Sequence, residues 1–209
     1  MSFVKSNFFV ISKDDDLSKV QSNIYGFQIK HGAEKVGYFV KISCNIDWIN
    51  ISVDSYGMGI IFEYQNGDYW AISNSFYLLT DYVSKRNKTL TINEDYLQLF
   101  AKINAITTVS YTETLFNEIS VVPSNRELRI FKETKGLVYK NFKENNHLVM
   151  GSSESLEYID QWANKWIAII QSLVISGSQI NLQLSGGFDS RLILALVLAS
   201  GIDLEKNKH

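Results

Sequence analysis

The chain has 209 residues, 45% of them hydrophobic, which is enough for one or two domains with real cores. Its 20 basic and 22 acidic side chains leave a net charge of −2, which gives no basis for nucleic-acid binding. A single cysteine, Cys44, excludes an internal disulfide framework, and the three scattered histidines, His31, His147 and His209, lack the spacing of a metal site.

Met1-Ser2-Phe3-Val4-Lys5 lacks the profile of a signal peptide, because the apolar stretch Phe8 to Ile11 is too short. The expectation is a cytoplasmic protein without a membrane partner. The first part of the chain then reads as β-rich. Phe8–Ile11, Gly37–Ser43, Trp48–Val53, Ile60–Tyr64 and Tyr69–Ile72 are the predicted strands. Cys44 closes a strand-like run from Tyr38 and reads as a small buried side chain rather than a nucleophile. Gln65-Asn66-Gly67-Asp68 is a hairpin turn, since Asn-Gly accepts positive φ. One helix is predicted after Asn74, carrying Phe76, Leu79, Tyr82 and Val83. Another is predicted after Asn93, an N-cap residue, with Glu94 and Asp95 favourable to the helix dipole. A second hairpin joins Leu128–Phe131 to Leu137–Tyr139, with Gly136 in its turn. Strands and hairpins interleaved with helices predict an α+β amino-terminal domain over 1–142.

Residues 143–155 are polar and small, ending in Gly151-Ser152-Ser153, and read as a linker. The most regular helix follows, about Leu156 to Val174, with Ile159, Trp162, Trp166, Ile169, Ile170 and Leu173 repeating at three and four. Trp162 and Trp166 lie on that apolar stripe. They are expected to pack as core against the amino-terminal domain rather than mark a ligand site. Ile180, Leu182 and Leu184 alternate with polar residues, the period of a strand, and a helix is predicted over Ser190–Ala199 with Gly201 as its stop. The apolar part of that helix, Leu192–Leu198, is too short to span a bilayer and reads as core.

Between the predicted strand and helix stands Leu184-Ser185-Gly186-Gly187-Phe188-Asp189-Ser190-Arg191. A glycine turn at the start of a helix gathers backbone N–H groups at its positive end, which suits a phosphate. The glycines keep Cβ atoms out of the anion's way. Ser185 and Ser190 add hydroxyls, and Asp189 fits as a ligand of Mg²⁺ held on that phosphate. The run is not a Walker A loop, for it has neither that motif's glycine spacing nor its lysine.

Leu184, Ser185, Gly186, Gly187, Asp189 and Ser190 resemble the S-G-G-x-D-S pyrophosphate loop of the ATP pyrophosphatase (PP-loop) superfamily, and are most similar to its asparagine synthetase group. Upstream, Asp54-Ser55-Tyr56-Gly57, Ile60–Tyr64 and Trp70–Ser75 are similar to the D-x-x-G…L-Y-Y…A-S stretch of that family's amino-terminal domain. Thr114–Ile119, Val122-Pro123 and Leu128–Ile130 resemble its T-L-F-x-x-I…P-x-x…L segment, and Asn141-Phe142 stands near that domain's end. The likeness covers about Asp54 to Ile202. It implies a reduced glutaminase-like (Ntn-hydrolase-like) domain over 1–142. Over 156–209 it implies the start of an α/β domain of the adenine nucleotide α-hydrolase kind. It further implies ATP and Mg²⁺ as cofactors, with Asp189 the metal ligand, and a small carboxylate and an amine as substrates.

Two departures limit what is carried over. The family's glutaminases use an N-terminal cysteine, where this chain has Ser2, and the motifs that hold glutamine have no counterpart. Hydrolysis of glutamine is therefore not expected. The chain also ends at His209, soon after the loop, without the later strands and lysines that enclose ATP in such domains. The expectation is an ATP-dependent, AMP-forming amide ligase or a fragment of one, inactive as 209 residues. The alternatives are a non-catalytic relative acting as an interaction or regulatory protein, and a simple phosphate-binding module. An edge strand left uncovered makes a homodimer one expected partner arrangement.

Overall fold

The computed structural model describes residues 7–31, 34–102, 112–141 and 151–202. The chain divides into two compact units, Met1–Lys143 and Glu144–His209. Among the described residues it is an α+β protein with two antiparallel sheets and four α-helices. No helix among them is long and apolar enough to cross a membrane.

In the first unit, β1 (Val10–Ser12), β6 (Tyr69–Ser73), β5 (Phe62–Asn66) and β7 (Ile119–Val121) form one sheet in that order. A second sheet runs β2 (Asn23–His31), β3 (Glu34–Cys44), β4 (Trp48–Val53), β8 (Arg126–Phe131) and β9 (Leu137–Asn141). Alternation decides the layers. Ile11, Trp70 and Ile72 of the first sheet meet Val40, Ile42, Ile49, Ile51, Leu128 and Ile130 of the second, all buried. Each such side chain contributes about 1.5–3 kcal/mol on burial. The other face of the first sheet, with Tyr64, Ala71 and Ile119, packs under Leu79 and Val83 of α1 (Phe76–Ser84). The result is a helix–sheet–sheet stack. Helix α2 (Glu94–Lys102) opens with Asn93 Oδ1 accepting from the Tyr96 N–H at 3.0 Å, as an N-cap should.

Most predicted strands form, β4 over the predicted span and the others displaced by one to three residues. The Asn66–Tyr69 turn closes with a left-handed φ of +57° at Gly67, and Asn66 itself stays out of that region. Helix α1 is capped by Ser75, whose Oγ accepts from the Leu78 N–H at 3.3 Å. Asn74 is used elsewhere: its amide receives the Phe9 N–H at 3.0 Å and donates to the Asn7 carbonyl at 2.7 Å. Cys44 is half-buried against the sandwich core. Strand β2 escapes the sequence pattern because Gly26 interrupts it. Gly26 has φ +122°, and a Cβ there would lie 2.4 Å from the Tyr38 carbonyl oxygen; Gly37, across the hairpin, has φ +151° and would meet the Phe27 carbonyl oxygen at 2.2 Å.

In the second unit, α3 spans Ser153–Ile175 and α4 spans Phe188–Ala199. Gly151-Ser152-Ser153 is therefore not linker. Ser152 is the N-cap of α3, its Oγ accepting from the Ser155 N–H at 3.1 Å, so residues that look like loop by composition open the helix. Trp162 and Trp166 are half-buried and pack with Ile170, Leu196 and Val197, which makes their stripe core within this unit.

Two expectations are corrected here. The predicted strand at Ile180–Leu184 does not form. The segment carries no ladder partner among the described residues, and a strand without one is only extended chain; Ile180 and Leu184 are exposed. The apolar run of α4 is also core on one side only. Leu196 and Val197 are buried while Leu192, Ile193 and Leu198 are exposed, because α3 covers a single face. Gly201 does end the helix, with φ +72° just past the cap residue Ser200.

Candidate anion-binding loop

Ser185 to Ser190 close into a ring through one hydroxyl. Ser190 Oγ accepts from the Ser185 N–H at 3.2 Å and sits 2.8 Å from the Ser185 carbonyl and 3.2 Å from the Gly187 carbonyl, to one of which it donates. The two serine hydroxyls are 3.1 Å apart, and Ser185 Oγ accepts from the Gly187 N–H at 3.3 Å. Ser190 is buried, while Leu184, Ser185, Gly186, Gly187 and Asp189 are exposed. The structure thus brings Ser185, Gly187 and Ser190 together and gives Ser190 a loop-closing part. Its hydroxyl is hydrogen-bonded within the ring.

Helix α4 starts at Phe188, with Gly187 as N-cap at φ −77° and ψ 161°, and no side chain caps its first turn. An uncapped helix start presents backbone N–H groups and a partial positive charge. Neither Gly186 nor Gly187 has a left-handed φ. A Cβ added at Gly186 would meet nothing within 4 Å, and one at Gly187 only Ser185 Oγ at 3.3 Å. The fold itself therefore does not require glycine at position 186. Glycine there leaves space on the exposed side of the loop.

Asp189 lies on the first turn of α4. Among the described residues no three His, Cys, Asp or Glu side chains stand together as a metal cage. Asp189 could supply one ligand to a magnesium ion whose other ligands were phosphate oxygens and water, the usual way that ion is held. Sequence reasoning passed over Arg191. Its Nε donates to the Gly187 carbonyl and its Nη2 to the Gly186 carbonyl, both at 3.3 Å, and the guanidinium lies 4.6 Å over the Phe188 ring. A cation in a first helical turn runs against the helix dipole, which is the signal that could have drawn notice to it.

The upstream Asp54 motif serves the fold. Asp54 is buried and its carboxylate accepts from the N–H groups of Phe39, Tyr56, Met58 and Gly59. Ser2 lies outside the described residues. Comparison with protein-family models and with curated proteins finds no match to the chain.

Proposed function

We propose that this chain is an asparagine-synthetase-like, AMP-forming amide ligase or a portion of one, and that Leu184–Ser190 is its pyrophosphate loop. The observation that carries the reading is Gly186: neither its φ nor its neighbours explain the missing side chain, whereas an anion seated on the loop does. The motif resemblance of Ser185, Gly186, Gly187, Asp189 and Ser190 supplies the class of anion. Under this reading the second unit begins a PP-loop domain, and the first is a reduced Ntn-hydrolase-like domain without glutaminase activity.

In the reaction, a substrate carboxylate oxygen attacks the α-phosphorus of ATP and the α–β bond breaks. Pyrophosphate leaves, and an amine then displaces AMP from the acyl group. Charge grows on the leaving pyrophosphate. The loop N–H groups and the start of α4 offset that charge, and they are already in place before it develops. Asp189 would hold the magnesium ion that neutralises the same oxygens. Under this reading the nitrogen comes from ammonia or an amine substrate.

Titration of the chain with magnesium pyrophosphate, followed by calorimetry, tests this. Weak binding is expected, and Gly186→Ala should abolish it while the α-helical circular dichroism stays unchanged. Equal binding by parent and Gly186→Ala, or none by the parent, would sink the reading. The non-catalytic alternative draws on a different observation, the exposed apolar side chains Phe188 and Leu192, one turn apart on α4 and 84% and 49% exposed, which a partner protein would cover.

A further inference from the structure

Two carboxyl side chains are buried in the first unit among the described residues, and they are treated in opposite ways. Asp54 is surrounded by backbone donors. Glu63, only 4% exposed, sits on the face of β5 that meets the second sheet, between Ile72 of β6 and Ser120 of β7 in register. Its Oε2 accepts from the hydroxyl of Tyr139 on β9, and its Oε1 has no hydrogen-bond partner. Among the described residues, Glu113 is bridged to Ser120 on the far side of β7. Arg126 of β8 approaches the Tyr139 ring at 5.7 Å, and the β6 and β7 neighbours of Glu63 are uncharged. Burial pushes the Glu63 carboxyl above the ordinary glutamate value of 4.5, and the Tyr139 hydrogen bond offsets only part of that.

We infer that Glu63 and Tyr139 form a proton-dependent latch on β9: the strand is held while Glu63 is neutral and is freed when Glu63 ionises. A neutral carboxyl shares a hydrogen bond with Tyr139 at little cost. An ionised one leaves charge on Oε1 in an apolar layer without a donor. Water relieves that charge most cheaply by opening a neighbouring edge. Two edges flank the pair: β7, beside β5, and β9, which carries Tyr139 and is tied to Glu63 by the side-chain hydrogen bond. Among the described residues β9 pairs with β8 alone, and Val138–Asn141 are exposed. The proton lost by Glu63 goes to solvent, and Tyr139 keeps its own, because burial and the Glu63 carboxylate push its hydroxyl well above the tyrosine range. The sign follows from the raised carboxyl. The hold is complete below 4.5 and is lost as pH rises from there through the folded-state value. Strand β9 is the last described element of the first unit.

Amide hydrogen exchange of the full chain, measured across pH and corrected for intrinsic exchange, tests the latch. Protection of Leu137–Asn141 should fall relative to that of β4 as pH rises through the titration of Glu63. Glu63→Gln should make the β9 profile flat at the low-pH level of the parent. Tyr139→Phe should lower β9 protection even at low pH. A parent whose β9 and β4 protection change in parallel, or a pH dependence that survives Glu63→Gln, would overturn it. Should Glu63→Gln fail to fold, the parent and Tyr139→Phe profiles decide alone.

Discussion

Replacing Asp54 by alanine removes an acceptor that serves four backbone donors, at 3.3 Å from Phe39 N, 3.0 Å from Tyr56 N, 3.3 Å from Met58 N and 2.6 Å from Gly59 N. The four are not equal. Tyr56 and Met58 are 41% and 66% exposed, so water takes over their N–H groups at small cost. Phe39 is buried and Gly59 half-buried, and their donors lose a charged partner without replacement. At about 1.5–3 kcal/mol for each bond to a charged group, and with one of the two long, Asp54→Ala should cost ~3–4 kcal/mol. Asp54→Asn discriminates further. Its one oxygen can keep Phe39 and Gly59, but its amide then faces the Tyr56 and Met58 N–H groups donor to donor, so it should cost ~2–3 kcal/mol, less than alanine. Urea unfolding in a Trp162→Phe, Trp166→Phe background, where Trp48 and Trp70 report on the first unit, reads both values. Asp54→Ala within ~0.5 kcal/mol of the parent, the range of ordinary surface changes, would refute the claim that this carboxylate holds the turn.

Gly59→Ala should destabilise the same turn by about 1–3 kcal/mol through overpacking, since its Cβ would lie 2.3 Å from the Phe39 carbonyl oxygen; the same urea curves measure it. Asp16, at the N-cap of a 3₁₀ turn (Leu17–Lys19), should titrate at about 2 instead of 3.8, held down first by the Ser18 side chain. Its contribution to stability is present above 3.8 and lost as pH falls through 2. Ser18→Ala should return the value toward 3.8 in a carbon-detected NMR titration, and an unchanged value would show that Ser18 is not the cause.

Much of the first unit was legible because its elements are locally specified. Trp48–Val53 alternates cleanly, Asn66-Gly67 is a turn by its own chemistry, and Asn93 with Glu94 and Asp95 opens a helix on local signals alone. What was not legible depends on distant partners. Ile180–Leu184 has the period of a strand, but period sets which face a residue takes and not whether a ladder partner exists. Strand β2 forms because β3 pairs along its whole length, which its own glycine-broken pattern does not announce. At the loop, the residue types were readable and their division of labour was not. That Ser190 is spent on closing the ring, and that Arg191 grips both glycine carbonyls, are facts of backbone geometry. Glu63 gave no signal at all, since in sequence it is one more charged residue in a strand whose buried face it happens to occupy.

The paired glycines of the β2–β3 hairpin bear on how this chain changes over evolutionary time. Each lies against the carbonyl of the residue next to its own register partner: Gly26 against Tyr38, beside Phe39, and Gly37 against Phe27, beside Gln28. Any side chain at either place collides with the opposite strand, and both backbones occupy a φ that other residues rarely adopt. A substitution at one is not compensated at the other, because each is blocked by main chain and not by a replaceable side chain. Each position is therefore held as glycine on its own account. Two glycines, ten residues intervening, between aromatic neighbours Tyr25, Phe27 and Tyr38 make a signature by which distant kin could be recognised after most of the remaining sequence has diverged.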